Sequence, residues 1–125
     1  MYNIAMSYSV TITDKEGNVL HSNNPHGIVG GTYSSESTEL YLNITFNYRK
    51  HFIRGDVFGS DGIKSLNGLT VEEARPLISK AIFALDNDIS SDYWEATEGN
   101  ARLALLNLLG LTHLAPNDSI IKIGY

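Results

Sequence analysis

The sequence predicts an α+β domain: a mostly antiparallel sheet with two helices packed on one face. Three observations predict it. Tyr8–Thr13 and Thr38–Asn47 alternate apolar and polar residues, the period of a half-buried strand. Thr70-Val71-Glu72-Glu73 is a capping box followed by apolar residues at helical spacing. The order of strands, two helices and a last strand suits helices laid over a single sheet. No repeat or linker divides the chain, so residues 1–125 read as one domain.

Tyr8–Thr13 is β-branched from Val10 to Thr13, and Asp14-Lys15-Glu16-Gly17 supplies turn chemistry, so Asn18–Ser22 is expected to return as the second arm of a hairpin. The Asn-, Ser- and Gly-rich stretch Asn23–Ser37 reads as loop. The long strand Thr38–Asn47 places Leu40, Leu42, Ile44 and Phe46 on one face and Glu39, Tyr41, Asn43, Thr45 and Asn47 on the other. Tyr48–Phe58 has room for a short helical turn, and Asn67-Gly68 is a turn. The first main helix carries Val71, Ala74, Leu77, Ile78, Ala81, Ile82 and Leu85 at helical spacing, and Pro76 predicts a kink or a late start. The second runs from near Thr97 to Leu109, with Gly110 as its C-terminal cap. It is apolar on more than one face, which predicts heavy burial and self-association. Ser119–Tyr125 reads as a final strand beside one of the early ones.

Composition narrows the function. The chain has no cysteine, which excludes a disulfide scaffold, a thiolate metal site and a cysteine nucleophile. With 14 acidic against 9 basic residues, nonspecific nucleic-acid binding is not expected. Met1–Ser7 lacks the pattern of a signal peptide, and Ala101–Leu111 is too short to span a bilayer, so a cytoplasmic location without membrane contact is expected. The matches to the glycosylation pattern at Asn43 and Asn117 then have no consequence.

Four segments are candidate sites. The polar face and exit of the long strand (Tyr41, Asn43, Thr45, Asn47, Tyr48 and Arg49, with Arg54 beyond) combines rings, amides and cations able to read a nucleotide-like ligand. The bland alternative is an exposed sheet face ending in a solvated turn. Tyr93–Arg102 gathers Trp94, Asn100 and Arg102 at a helix start, where free amides favour anions; Trp94 is more often a core residue, and Asn100 and Arg102 stay as ligand candidates. His26–Thr32 is glycine-rich but lacks the lysine of a phosphate-binding loop. Asp86–Asp92 places oxygens at alternate positions as a calcium loop does, yet Ser91 stands where glycine is required. The four histidines have no metal-ligand spacing, and no serine sits in a nucleophile elbow, so no metal, cofactor or catalytic residue is expected.

Asn43-Ile44-Thr45-Phe46-Asn47, Asp61-Gly62-Ile63 with Leu66-Asn67-Gly68, Ala74-Arg75-Pro76-Leu77, and Tyr93 with Gly99-Asn100 occur in an order that resembles small α+β proteins encoded in phage and bacterial genomes. Such relatives often read N-I-T-Y-N at the strand, where this chain has Phe46. The resemblance spans roughly the last two thirds of the chain and carries no catalytic role. Small phage accessory proteins commonly act by binding. The resemblance therefore implies a non-enzymatic anti-defence protein, a sponge for a nucleotide-derived immune signal, working as a homo-oligomer in the host cytoplasm. An inhibitor that covers a host protein is the second expectation. A nucleotide-processing enzyme with a site assembled across subunits is the third.

Overall fold

In the computed structural model, which describes residues 7–28, 37–92 and 95–124, alternation sets the first strand. β1 (Ser7–Thr13) buries Tyr8, Val10 and Ile12 and leaves Ser7, Ser9 and Thr11 half-buried on the other face. It is the middle strand of an open three-stranded sheet. β2 (Tyr41–Thr45) lies on one side and β3 (Ile120–Gly124) on the other, both antiparallel to it. The register aligns Leu42, Val10 and Ile123 across the buried face and Tyr41, Thr11 and Lys122 across the polar one.

The Asp14–Gly17 turn forms as its chemistry dictates. The Asp14 carboxylate accepts the Glu16 and Asn18 amides at 2.9 Å each, and Gly17 takes φ +91°. Those bonds, the Asn18 amide foremost, hold the Asp14 carboxyl below the usual carboxylate range. The returning arm over Asn18–Ser22 does not become a strand, however. It makes single bridges, Val19 to Thr13 and His21 to Glu39. β3 takes one edge of β1, and β2 pairs along the other as far as Thr11, so only the last two residues of that edge remain for the arm.

The strand expected over Thr38–Asn47 is likewise shorter, and it is an edge strand of five residues. Thr45 ends it. Its side chain accepts the Asn47 amide at 3.3 Å and caps a 3₁₀ turn, Phe46–Tyr48, that leads into α1 (Arg49–Phe52). A second 3₁₀ turn, Gly62–Leu66, brings the chain to β3. There the Ile121 amide donates to the Leu69 carbonyl at 2.9 Å and the Gly68 amide to the Ile121 carbonyl at 2.8 Å, which closes much of that sheet edge.

α2 (Val71–Ala84) starts from the complete capping box. The Glu73 amide donates to the Thr70 hydroxyl at 3.1 Å and the Thr70 amide to the Glu73 carboxylate at 3.0 Å. With its start fixed in this way, the helix does not begin late; Pro76 lies inside it on the exposed side. α3 (Glu98–Thr112) extends past Gly110, which is a helical residue rather than the cap. Leu111 and Thr112 are wholly buried, and that packing carries the helix onward. Residues of α1, α2 and α3 join the buried face of the sheet in one hydrophobic core, with Tyr48 and Phe52 among its largest side chains. Burying a large apolar side chain stabilises by roughly 1.5–3 kcal/mol. The burial expected all round α3 is incomplete, since Leu103 and Leu106 are exposed.

Candidate functional site

The strand-face residues separate where β2 ends. Tyr41 and Asn43 stay on the polar face, and the Asn43 amide donates to the Tyr8 carbonyl at 3.2 Å and to the Tyr41 hydroxyl at 3.3 Å. Thr45 is 2% exposed and acts as the turn cap already described. The turn it caps breaks the alternation. Asn47 points to solvent, and Tyr48 is wholly buried, edge-on to Phe52 with ring centroids 6.2 Å apart. Tyr48 is therefore a core residue and not a stacking platform. Arg49 emerges exposed at the start of α1.

Across from Arg49 the chain folds back on itself. The Phe58 amide donates to the Phe52 carbonyl at 3.1 Å and the Gly59 amide to the Arg54 carbonyl at 2.9 Å. Gly59 and Gly62 both take positive φ, +88° and +60°, and Gly62 packs against Phe52 and Ile53. This double-glycine turn places Ser60, Asp61 and Lys64 around the cleft that Arg49 and Tyr8 complete, about 340 Å³ in volume. Tyr8 lies at its base with its ring 4.7 Å from that of Phe46. Among the described residues, neither the Arg49 guanidinium nor the Asp61 carboxylate has a hydrogen-bond or ion-pair partner. The cleft therefore offers an unpaired cation, a hydroxyl and an unpaired carboxylate, with Lys64, which has a partner of its own, along its wall. An anionic group can sit at Arg49 while a hydroxyl or amine of the same molecule donates to Asp61.

Ser60, Asp61, Lys64 and Tyr8 were not among the residues singled out from sequence. The signal present was Gly59-Ser60-Asp61-Gly62, two glycines bracketing a hydroxyl and a carboxylate. It reads as a simple break until Arg49 is seen opposite.

Arg54 does not serve this cleft. Its guanidinium meets Asp56 at 2.7 Å and Glu98 at 3.1 Å, and its Nη2 donates to the Ala84 carbonyl at 3.4 Å. It ties the end of α2 to the start of α3. The hydrogen bonds it donates to Asp56 and then to Glu98 hold the guanidinium firmly in its charged form. Asp56 is held below the ordinary carboxylate range, chiefly by Arg54. Glu98 is lowered too, first by the Asp86 amide and then by Arg54. Carboxyls lowered in the folded state stabilise it at neutral pH, and that contribution disappears as pH falls through their folded values. Stability should accordingly decline below about pH 5, and Arg54→Gln should flatten that decline. Urea midpoints of the two proteins between neutral and acid pH measure it; parallel profiles would remove the Arg54 pairs as the cause.

Asn100 is 2% exposed and fully engaged. Its Oδ1 accepts the Ser90 amide at 3.1 Å, and its Nδ2 donates to the carbonyls of Asp92 at 3.1 Å and Glu95 at 2.9 Å. It brackets the loop between α2 and α3 and is not available to a ligand. The start of α3 is likewise filled from within the chain. The Thr97 hydroxyl accepts the Asn100 amide, and the Asp88 carboxylate accepts the Gly99 amide, each at 3.0 Å. That internal carboxylate replaces the anion the sequence suggested there. Arg102 lines a different cleft, of about 240 Å³, with Ile82, Phe83, Leu85, Asp86 and Asn87. Of the nine sequence candidates, Arg49 is the one that borders the larger cleft.

The remaining candidate segments have local roles where they are described. His26 Nδ1 accepts the Ile28 amide at 2.9 Å while its Nε2 donates to the Glu39 carbonyl at 2.6 Å, pinning the loop to residue 39. Val29–Thr32, Tyr93, Trp94 and Tyr125 lie outside the described residues. In Asp86–Asp92, Asp88 is engaged by Gly99, and the Ser90 hydroxyl donates to Glu95 at 3.2 Å. No group of three or more His, Asp or Glu among the described residues is placed to hold a metal ion. No helix among them is long and apolar enough to cross a membrane. No protein-family model matches the chain, and no curated protein or solved structure matches it significantly.

Proposed function

We propose that this chain is a non-enzymatic binding protein that captures a small nucleotide-derived ligand in the Arg49 cleft. The observation that carries the reading is the unpaired Arg49 guanidinium facing Ser60, the unpaired Asp61 carboxylate and Lys64 across one concavity. A phosphate fits Arg49, and a ribose hydroxyl or exocyclic amine fits Asp61. The volume, about 340 Å³, is at the small end of small-molecule sites, which favours a mononucleotide-sized group over a polymer. The net charge of −5 also disfavours a nucleic-acid chain. Arg49 replaces the broader strand face as the centre of recognition, because Asn47 and Tyr48 leave that face. With the resemblance to phage proteins, the biological reading is an anti-defence sponge that lowers the free concentration of a nucleotide signal by equilibrium capture.

The test is calorimetric titration with mononucleotides, cyclic dinucleotides and ADP-ribose, followed by recovery of the ligand from heat-denatured protein. Binding by the native chain, recovery of intact ligand and a loss of roughly 10- to 100-fold in affinity in Arg49→Ala are expected, the loss of one charge-assisted contact. Binding that Arg49→Ala leaves unchanged would remove this cleft from the proposal. Ligand recovered in altered form would replace capture by catalysis.

A further inference from the structure

We propose that a second copy of this chain docks on the outer face of the α2–α3 pair, with Phe83 of each copy seated in the smaller cleft of the other. Phe83 is 88% exposed, which is far outside the usual environment of a phenylalanine. A small molecule held in a cleft of about 240 Å³ cannot cover a ring that projects so far. A macromolecular surface with a matching hollow can. The hollow is present on the same patch, since Phe83 stands at the rim of the cleft formed by Ile82, Leu85, Asp86, Asn87 and Arg102.

The charges of that cleft point to a second copy as the occupant. Arg102 and Asp86 line it together, yet among the described residues the Arg102 guanidinium and the Asp86 carboxylate have no hydrogen-bond or ion-pair partner, including each other. A twofold contact requires a patch that carries its own complement. This one has a projecting ring, a hollow, a cation and an anion. Rotation by a half turn sets ring into hollow and Arg102 against the partner's Asp86, twice. Leu103 and Leu106, exposed one turn apart on α3, extend the apolar area along the same helix pair. Each copy contributes one buried ring of about 150–250 Å², and its leucines add toward the roughly 800 Å² per partner that a stable interface needs.

The test is sedimentation velocity of the full chain across micromolar concentrations, with Phe83→Ser, Arg102→Asp and the exchange Arg102→Asp with Asp86→Arg. The native chain is expected to dimerise, and Phe83→Ser to raise the dimer dissociation constant about tenfold or more. Because the ring meets solvent over most of its surface, the melting temperature of the dilute Phe83→Ser monomer should stay near that of the dilute native chain, which separates lost docking from lost folding. Arg102→Asp should weaken the dimer and the exchange should restore it. A native chain that remains monomeric throughout overturns the proposal, as does a dimer indifferent to Phe83→Ser. Weakening by Arg102→Asp without restoration by the exchange overturns the twofold pairing of Arg102 with Asp86.

Discussion

Replacing Tyr48 by alanine is expected to destabilise the fold by about 3–5 kcal/mol, the cost of deleting a large aromatic side chain from a packed core. The ring is wholly buried, lies edge-on to Phe52 and sits where β2 gives way to α1. Its removal leaves a cavity against Phe52, itself packed against Tyr8 and Phe58 at ring separations of 6.4 Å and 5.8 Å. The change should lower the melting temperature by roughly 10–20 °C, read by calorimetry. A stacking residue at a ligand site would behave differently: its truncation would weaken binding while the ligand-free protein kept its stability. A Tyr48→Ala protein that melts with the native chain would therefore return Tyr48 to the surface and undo the separation of strand face from core.

The second large effect is expected at Gly99. A Cβ there would lie 2.6 Å from the Asp88 carbonyl carbon and 2.7 Å from the amide nitrogens of Asp88 and Ile89. All three are backbone atoms, so no side-chain rotation relieves the overlap. Gly99→Ala should cost about 3 kcal/mol, the upper range for overpacking, and should displace the loop from the start of α3. The same substitution at Gly110 supplies the contrast. There a Cβ would meet only Ile28 Cδ1, at 4.0 Å, within ordinary contact. Gly110→Ala should stabilise by about 0.5–1 kcal/mol, because alanine loses less backbone freedom than glycine inside a helix. Chemical denaturation of the two variants measures opposite shifts from one kind of change in one helix. A neutral Gly99→Ala would mean that the loop does not approach the helix as described.

Gly99-Asn100 acquires a physical meaning from these contacts. Glycine admits the loop backbone, and asparagine then binds it at Ser90, Asp92 and Glu95. In the sequence the pair stands beside a helix start and suggests an anion site. In the structure the loop occupies that position, and Asp88 is the anion.

What the sequence determined by itself was the local structure. The Thr70 capping box, the Asp14–Gly17 turn, the alternation in β1 and the helical spacing of α2 all act between residues close in the chain, so their outcome is legible from neighbours alone. The main helices and strands were readable for that reason, although Leu77, expected on the inward face of α2, is exposed. Packing between distant segments settled where competing local tendencies stopped. The arm after Asp14 failed to become a strand because β2 and β3 claimed the edges of β1. Thr45 ended β2 early and turned Tyr48 into the core. Buried Leu111 and Thr112 carried α3 past Gly110. The candidate site divided for the same reason. Arg49 was visible as a cation near a strand exit, but Ser60, Asp61 and Lys64 reach it only through the double-glycine turn, and Arg54 is withdrawn by Glu98, a residue far along the chain. Charge pairing across such distances depends on how the elements pack, and the same residue types read alike in the sequence whether they end up paired or open to a ligand.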